Sequence, residues 1–151
     1  MKLTLTEEIL RQIHSHGEAA YPNEGAGFLL GSNHGPLAQV SAILPLPNAR
    51  GAETQHNRYL IVEQDYLRAE LEAGSKSLEL VGVFHSHPDH PPRPSEFDRA
   101  HALPNFSYII TSVHEGRAME SRSWRLREDR SAFDEETLHV NRPLTADHSD
   151  H

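Results

Sequence analysis

His85, His87 and Asp98 have the residue types and the spacing to share one metal ion. They lie within Val81 to Asp98, VGVFHSHPDHPPRPSEFD, the stretch around which the chain is organised. Leu80 to Phe84 is an apolar run with β-branched valines and one glycine, which predicts a strand covered on both faces. Side chains at i and i+2 of a strand share a face, so His85 and His87 can present both imidazoles to one ion while Ser86 points away. Pro88 then ends the ladder, and PDHPPRP is a stiff connector with fixed φ values and few N–H donors. With Ser95 as a helix N-cap, Asp98 falls at N3, where a carboxylate is favoured and can face back toward the strand end. Two imidazoles, one carboxylate and a fourth position open to water make a catalytic rather than a structural zinc set, with one Zn2+ per chain.

Each fragment alone has a plainer explanation. Ser-x-x-Asp before a helix is an ordinary capping signal, and a lone His-x-His says little. Their conjunction is specific, because strand end, rigid loop and helix start converge on one point. The segment resembles the JAMM (JAB/MPN-type) metalloprotease motif of His-x-His-Pro, seven intervening residues after the second His, then Ser-x-x-Asp, and the match is complete. The resemblance implies that His85, His87 and Asp98 are zinc ligands and that Ser95 helps to hold a tetrahedral intermediate. Tyr21 to Gly31, YPNEGAGFLLG, carries the resemblance further: Pro22 ends a helix and a glycine-rich run feeds a strand at Phe28 to Leu30. Read from residue type alone, Glu24 in this turn faces solvent. The family's pattern of Pro-x-Glu, two small residues and Gly-x-Leu-x-Gly implies instead an acid/base role for Glu24. Ala26 stands where many bacterial relatives carry Cys, and both side chains are small, which suggests a packing position.

The remaining elements must position these residues. Thr6 to Ala20 reads as a helix capped by Thr6, with Ile9, Leu10 and Ile13 on one face. His14 and His16 repeat the His-x-His spelling, but on a helix they lie about 200° apart and read as solvated surface residues. Leu37 to Pro47 is expected to be a strand, and Tyr59 to Val62 a short one. Between them, Asn48 to Asn57 is a long polar loop and the candidate substrate-contacting segment. Gln64 to Ala73 reads as a helix with Tyr66, Leu67 and Leu71 inward and Gly74 at its end. His101, three residues after Asp98, shares its helical face and is a candidate for outer contact with the metal site, with a surface role as the alternative. His90 is a bystander in the rigid loop. Phe106 to Ser112, Ala118 to Leu126 and Glu136 to Val140 read as later strands.

The 151 residues fit one domain, which at this size buries about 70% of its unfolded-chain surface. No cysteine is present, so any zinc must be held by His and carboxylate. A net charge of -8 disfavours nucleic acid and anionic membranes as partners. The acidic N-terminal stretch lacks a signal-peptide core, which makes the cytoplasm the default location. The expected fold is α/β over residues 1–140, a mixed sheet flanked by helices, with 141–151 as a flexible tail. The resemblance, spanning about Thr6 to Leu126, implies a JAMM/MPN-type (cytidine-deaminase-like) domain of the bacterial kind. It further implies a zinc isopeptidase or peptidase that cleaves after the C-terminal Gly-Gly of a ubiquitin-like or sulfur-carrier protein, releasing cysteine or another amine. A zinc groove at the strand end would let such a tail pair along an exposed strand edge. The alternatives are a catalytically silent MPN-type scaffold, whose members usually lack motif residues, and a DNA-repair-associated relative, which a basic surface would suit better.

Overall fold

Lys2–Thr6 forms strand β1, which sequence reading did not anticipate. Its alternation is nonetheless clear, with Leu3 and Leu5 buried and Lys2 and Thr6 exposed. The computed structural model describes residues 1–47 and 60–142. After β1 come α1 (Glu7–Ala20), β2 (Ala26–His34), β3 (Leu37–Pro45), α2 (Glu63–Ser75) and β4 (Glu79–Pro88). Then follow α3 (Glu96–His101), β5 (Ser107–His114), β6 (Arg117–Leu126) and β7 (Phe133–Asn141). The sheet order is β1-β3-β2-β4-β5-β6-β7. β1 is parallel to both β3 and β7, so the sheet closes on itself. The helices lie where expected, but a closed mixed sheet dominated by strands replaces the simple sheet flanked by helices.

Helix α1 begins at Thr6, whose hydroxyl accepts from the Ile9 amide at 3.2 Å. It packs against β1, β3, β4, β5, β6 and β7, burying Ile9 and Ile13 among Leu3, Leu5, Leu29, Val40, Phe84 and Ile109. A second cluster joins Phe28, Leu30, Val83 and Tyr108 to Ala69 and Ala73 of α2. The central strands β2 and β4 therefore contribute to both clusters, as their near-continuous apolar sequence predicts.

Helix α2 is rotated from expectation. Asp65, Ala69 and Ala73 are buried, whereas Leu67 and Leu71 are 58% and 67% exposed. The small residues let the helix approach the sheet, and the bulky space is filled by the Tyr66 ring, 5.3 Å from Phe28 edge to face. Residues 60–62 are not a strand, and Tyr59 lies outside the described residues. Gly31, at an irregularity in β2, must be glycine, since a Cβ there would come 1.7 Å from the Gln39 carbonyl oxygen. No described helix is long and apolar enough to cross a membrane. The expected tail from residue 143 onward lies outside the described residues, and Asn141 belongs to β7.

Candidate metal centre

Strand β4 runs four residues beyond Phe84, carrying His85 and His87 within regular ladder geometry. Its parallel partner β5 supports it from Gly82 opposite Ser107 to Pro88 opposite Val113. On its other side β2 begins with Ala26 opposite His85. The two imidazoles are buried, with ring centroids 5.1 Å apart. Helix α3 brings Asp98 against them: His87 Nε2 lies 3.1 Å from Oδ2, and His85 Nε2 lies 3.7 Å from Oδ1. One donor atom from each residue falls within 4.8 Å of the others, so the three form a group that could hold a metal ion. Donors at metal bonds of about 2.0–2.1 Å in a tetrahedral shell sit roughly 3.3 Å apart, which these separations bracket.

The connector and the helix start hold this geometry. His87 Nδ1 donates to the Pro91 carbonyl at 2.9 Å, which turns Nε2 toward Asp98. That carbonyl belongs to the stiff PDHPPRP segment, which Trp124 anchors through Nε1 to the Pro92 carbonyl at 3.1 Å. At the helix start, Ser95 Oγ accepts from the Asp98 amide at 3.1 Å, and Asp98 Oδ2 accepts from the Ser95 amide at 2.8 Å. The capping geometry of Ser-x-x-Asp is thus present, and it sets Asp98 within a group that could hold a metal ion. The same Oδ2 that closes the cap also faces His87.

Electrostatics divide the group. Burial pushes the His85 imidazole down to about 4, with the His87 charge adding to the effect and Asp98 opposing it. Burial also acts to lower His87, but the hydrogen bond and charge of Asp98, the Pro91 carbonyl and the Glu24 charge together raise it. Desolvation works to raise Asp98, yet both histidines and the Ser95 amide hold its carboxyl well below the usual carboxylate range. In the metal-free protein near neutral pH, His85 is therefore neutral, Asp98 is ionised, and any proton resides on His87. A metal must displace that proton. Apparent metal affinity should accordingly rise with pH through the raised His87 titration, and metal uptake below it should release about one proton. Calorimetric titration in buffers of different ionisation enthalpy measures that number, and zero release would contradict the protonation assigned to His87.

Glu24 is half-buried at the entry to β2, near enough for its charge to act on His87. Ser95 is exposed beside Asp98; its oxygen serves the cap as acceptor, which leaves its O–H as a donor. Ala26 is buried, as a packing position requires. His101 is not drawn into the group. It is exposed, bonds through Nδ1 to the Phe97 carbonyl at 2.9 Å and stacks on Phe97. His90 is exposed too. His14 and His16 are half-buried rather than solvated, because α1 lies against the sheet. His14 Nε2 meets Ser121 Oγ at 2.9 Å and His16 sets its edge on Phe84, so they serve separate partners. The loop Asn48 to Asn57 lies outside the described residues. Three supporting contacts carry no local sequence signal: Trp124 to Pro92, Tyr21 to Asp89 and Gly25 to Ser86.

A closed mixed sheet that presents two histidines from a strand and an aspartate from a short helix is the arrangement of a JAB/MPN-type domain with a group that could hold a metal ion. The sequence matches the prokaryotic homologs of the JAB domain over residues 6–127, and the chain belongs to that family. Similar solved structures include a protein from Salinibacter ruber, 41% identical over 93% of each chain with a TM-score of 0.73. A protein from Desulfitobacterium hafniense is 29% identical over 97% of each chain, with a TM-score of 0.78. A JAB1/MPN domain protein from Archaeoglobus fulgidus, 20% identical, shares the fold over 93% of this chain and 98% of its own, at a TM-score of 0.57. No curated protein matches the sequence.

Proposed function

We propose that this chain is a zinc-dependent isopeptidase or peptidase that hydrolyses the amide bond after the C-terminal Gly-Gly of a ubiquitin-like or sulfur-carrier protein. The observation that carries the reading is the buried His85, His87 and Asp98 group with a half-buried carboxylate, Glu24, acting on its second histidine. The donor set favours zinc, which accepts two imidazoles and one carboxylate with a position left for water or substrate. When bound there, zinc supplies a water whose pKa falls toward ~7 and polarises a carbonyl as a Lewis acid. Glu24 takes the water's proton and returns it to the leaving amine. The Ser95 O–H donates to the developing oxyanion, an interaction worth about 10²–10³ in rate in comparable sites. No acyl-enzyme forms, because no side chain acts as nucleophile.

The substrate class is proposed from the backbone at the strand end. The described sheet closes on itself, so pairing of an extended tail along an exposed strand edge is assigned to the end of β4 beside the donor group. Ser86 to Pro88 of β4 run past the first residue of β2, and we assign to this strand end an extended tail that can lie close against backbone. Gly-Gly meets that demand. Purified protein incubated with Gly-Gly carriers conjugated to cysteine or lysine should release the free carrier, read by mass spectrometry. Replacing the final Gly of the tail by Val or Leu should lower kcat/KM more than about tenfold, or ~1.4 kcal/mol in transition-state terms. Folded carrier and free tail peptide should be compared in parallel, since remote contacts can supply much of the binding. Equal rates for Gly-Gly and Gly-Leu tails would make a general peptidase the better description.

A further inference from the structure

We infer that Ser86, between the two histidines, is the positioning residue that sets Glu24 against the metal centre, a role that rests on the acid/base reading of Glu24. Ser86 points away from the donor group, as strand alternation requires, and is 2% exposed. Its Oγ accepts from the Gly25 amide at 2.9 Å, and its own amide donates to the Gly25 carbonyl at 3.0 Å. Both backbone polar groups of Gly25 are thus held by one residue whose chain neighbours are His85 and His87. The Gly25 amide belongs to the same peptide plane as the Glu24 carbonyl. Fixing that N–H fixes the peptide plane on one side of the Glu24 Cα and, with the preceding turn also held at Tyr21, restricts the direction from which the side chain leaves the backbone. Backbone ladder pairing between β2 and β4 begins only one residue later, at Ala26 opposite His85. The hydroxyl supplies the acceptor for this buried amide that the ladder does not.

The surroundings limit what residue 86 can be. Gly17 of α1 lies against it, and a Cβ at position 17 would come 3.1 Å from Ser86 Cβ. A long side chain cannot fit there. Threonine retains the hydroxyl acceptor and adds a single methyl group, which makes it the conservative replacement. The other end of the turn is held from the same segment: Tyr21 Oη donates to Asp89 Oδ2 at 2.7 Å, and Asp89 Oδ1 accepts from the Glu115 amide at 2.9 Å. Residues 21–25 are consequently tied at both ends to the strand and loop that carry His87. The outer tie is exposed and the Ser86 tie is buried, so the hydroxyl is the stronger determinant.

The test compares zinc-loaded wild type with S86A, S86T and S86C on a Gly-Gly conjugate. Alanine leaves the Gly25 amide without its acceptor, and cysteine keeps the branch position with a larger sulfur that accepts only weakly. S86A and S86C should bind zinc stoichiometrically with unchanged affinity and lose about tenfold or more in kcat with little change in KM, the scale expected when a proton carrier is misplaced. S86T should restore kcat. Amide hydrogen exchange at Gly25 should accelerate in S86A and return to the wild-type rate in S86T, a readout independent of turnover. Combined with E24Q, S86A should add no further loss, because Ser86 acts only through Glu24. Wild-type kcat in folded, zinc-loaded S86A or S86C would overturn the role of Ser86 and leave the acid/base reading intact. Full activity in E24Q would overturn the acid/base reading itself.

Discussion

Glu24→Gln should keep the fold and the bound metal and lower kcat at least ~100-fold, the usual scale for removing a positioned proton carrier. The substitution is nearly isosteric, and no part of the donor group comes from residue 24. What changes is charge. Glutamine cannot take a proton, so the attacking water is no longer activated by the side chain and the leaving amine is no longer protonated by it. The loss should appear equally in kcat and kcat/KM, since the interaction is made in the transition state and not in substrate binding. A secondary effect follows from the electrostatics. The Glu24 charge helps to raise His87, so the metal-free variant should titrate that imidazole at lower pH than wild type. NMR titration of the His87 ring checks the second effect and steady-state kinetics the first. Undiminished turnover would remove Glu24 from the mechanism.

The candidate donor group of this chain is more legible in its sequence than its architecture, for identifiable reasons. His85, His87, Ser95 and Asp98 lie within fourteen consecutive residues, so strand alternation, a proline-stiffened loop and a helix cap together dictate their meeting. Closure of the sheet has no such local cause. It depends on pairings such as Lys2 with Leu37 and Lys2 with Thr137, which join residues far apart in the chain. β1 itself is five residues long and abuts helix α1 with no intervening turn, so its alternating pattern merges with the helix start. On α2 the larger apolar residues Leu67 and Leu71 misled the assignment of the inner face. Close approach to the sheet selects small side chains instead, and Ala69 and Ala73 mark that face. The supports of the metal site escape notice for the reason that closure does. Ser86 reaches Gly25, Tyr21 reaches Asp89 and Trp124 reaches Pro92 across separations of 61, 68 and 32 residues.

His87→Ala should abolish stoichiometric zinc binding, while Asp98→Asn should weaken it more than about 100-fold and leave helix α3 in place. Partners one shell removed from a metal typically contribute 10–100-fold in affinity, so loss of a direct donor must exceed that range. The two substitutions separate roles that the wild-type residues combine. Asp98 Oδ2 both closes the cap with the Ser95 amide and faces His87. Asparagine retains an amide oxygen for the cap but gives up the negative charge that favours a cation between two imidazoles. Alanine at 87 removes a donor and breaks the hydrogen bond to Pro91, so the proline-rich connector loses its tie to β4 as well. Elemental analysis after dialysis against a weak chelator gives the stoichiometry, competition with a chromophoric chelator gives the affinity, and circular dichroism reports the helices. His87→Ala retaining one zinc with wild-type affinity would show the metal to be elsewhere, since a three-donor site does not survive loss of its central imidazole.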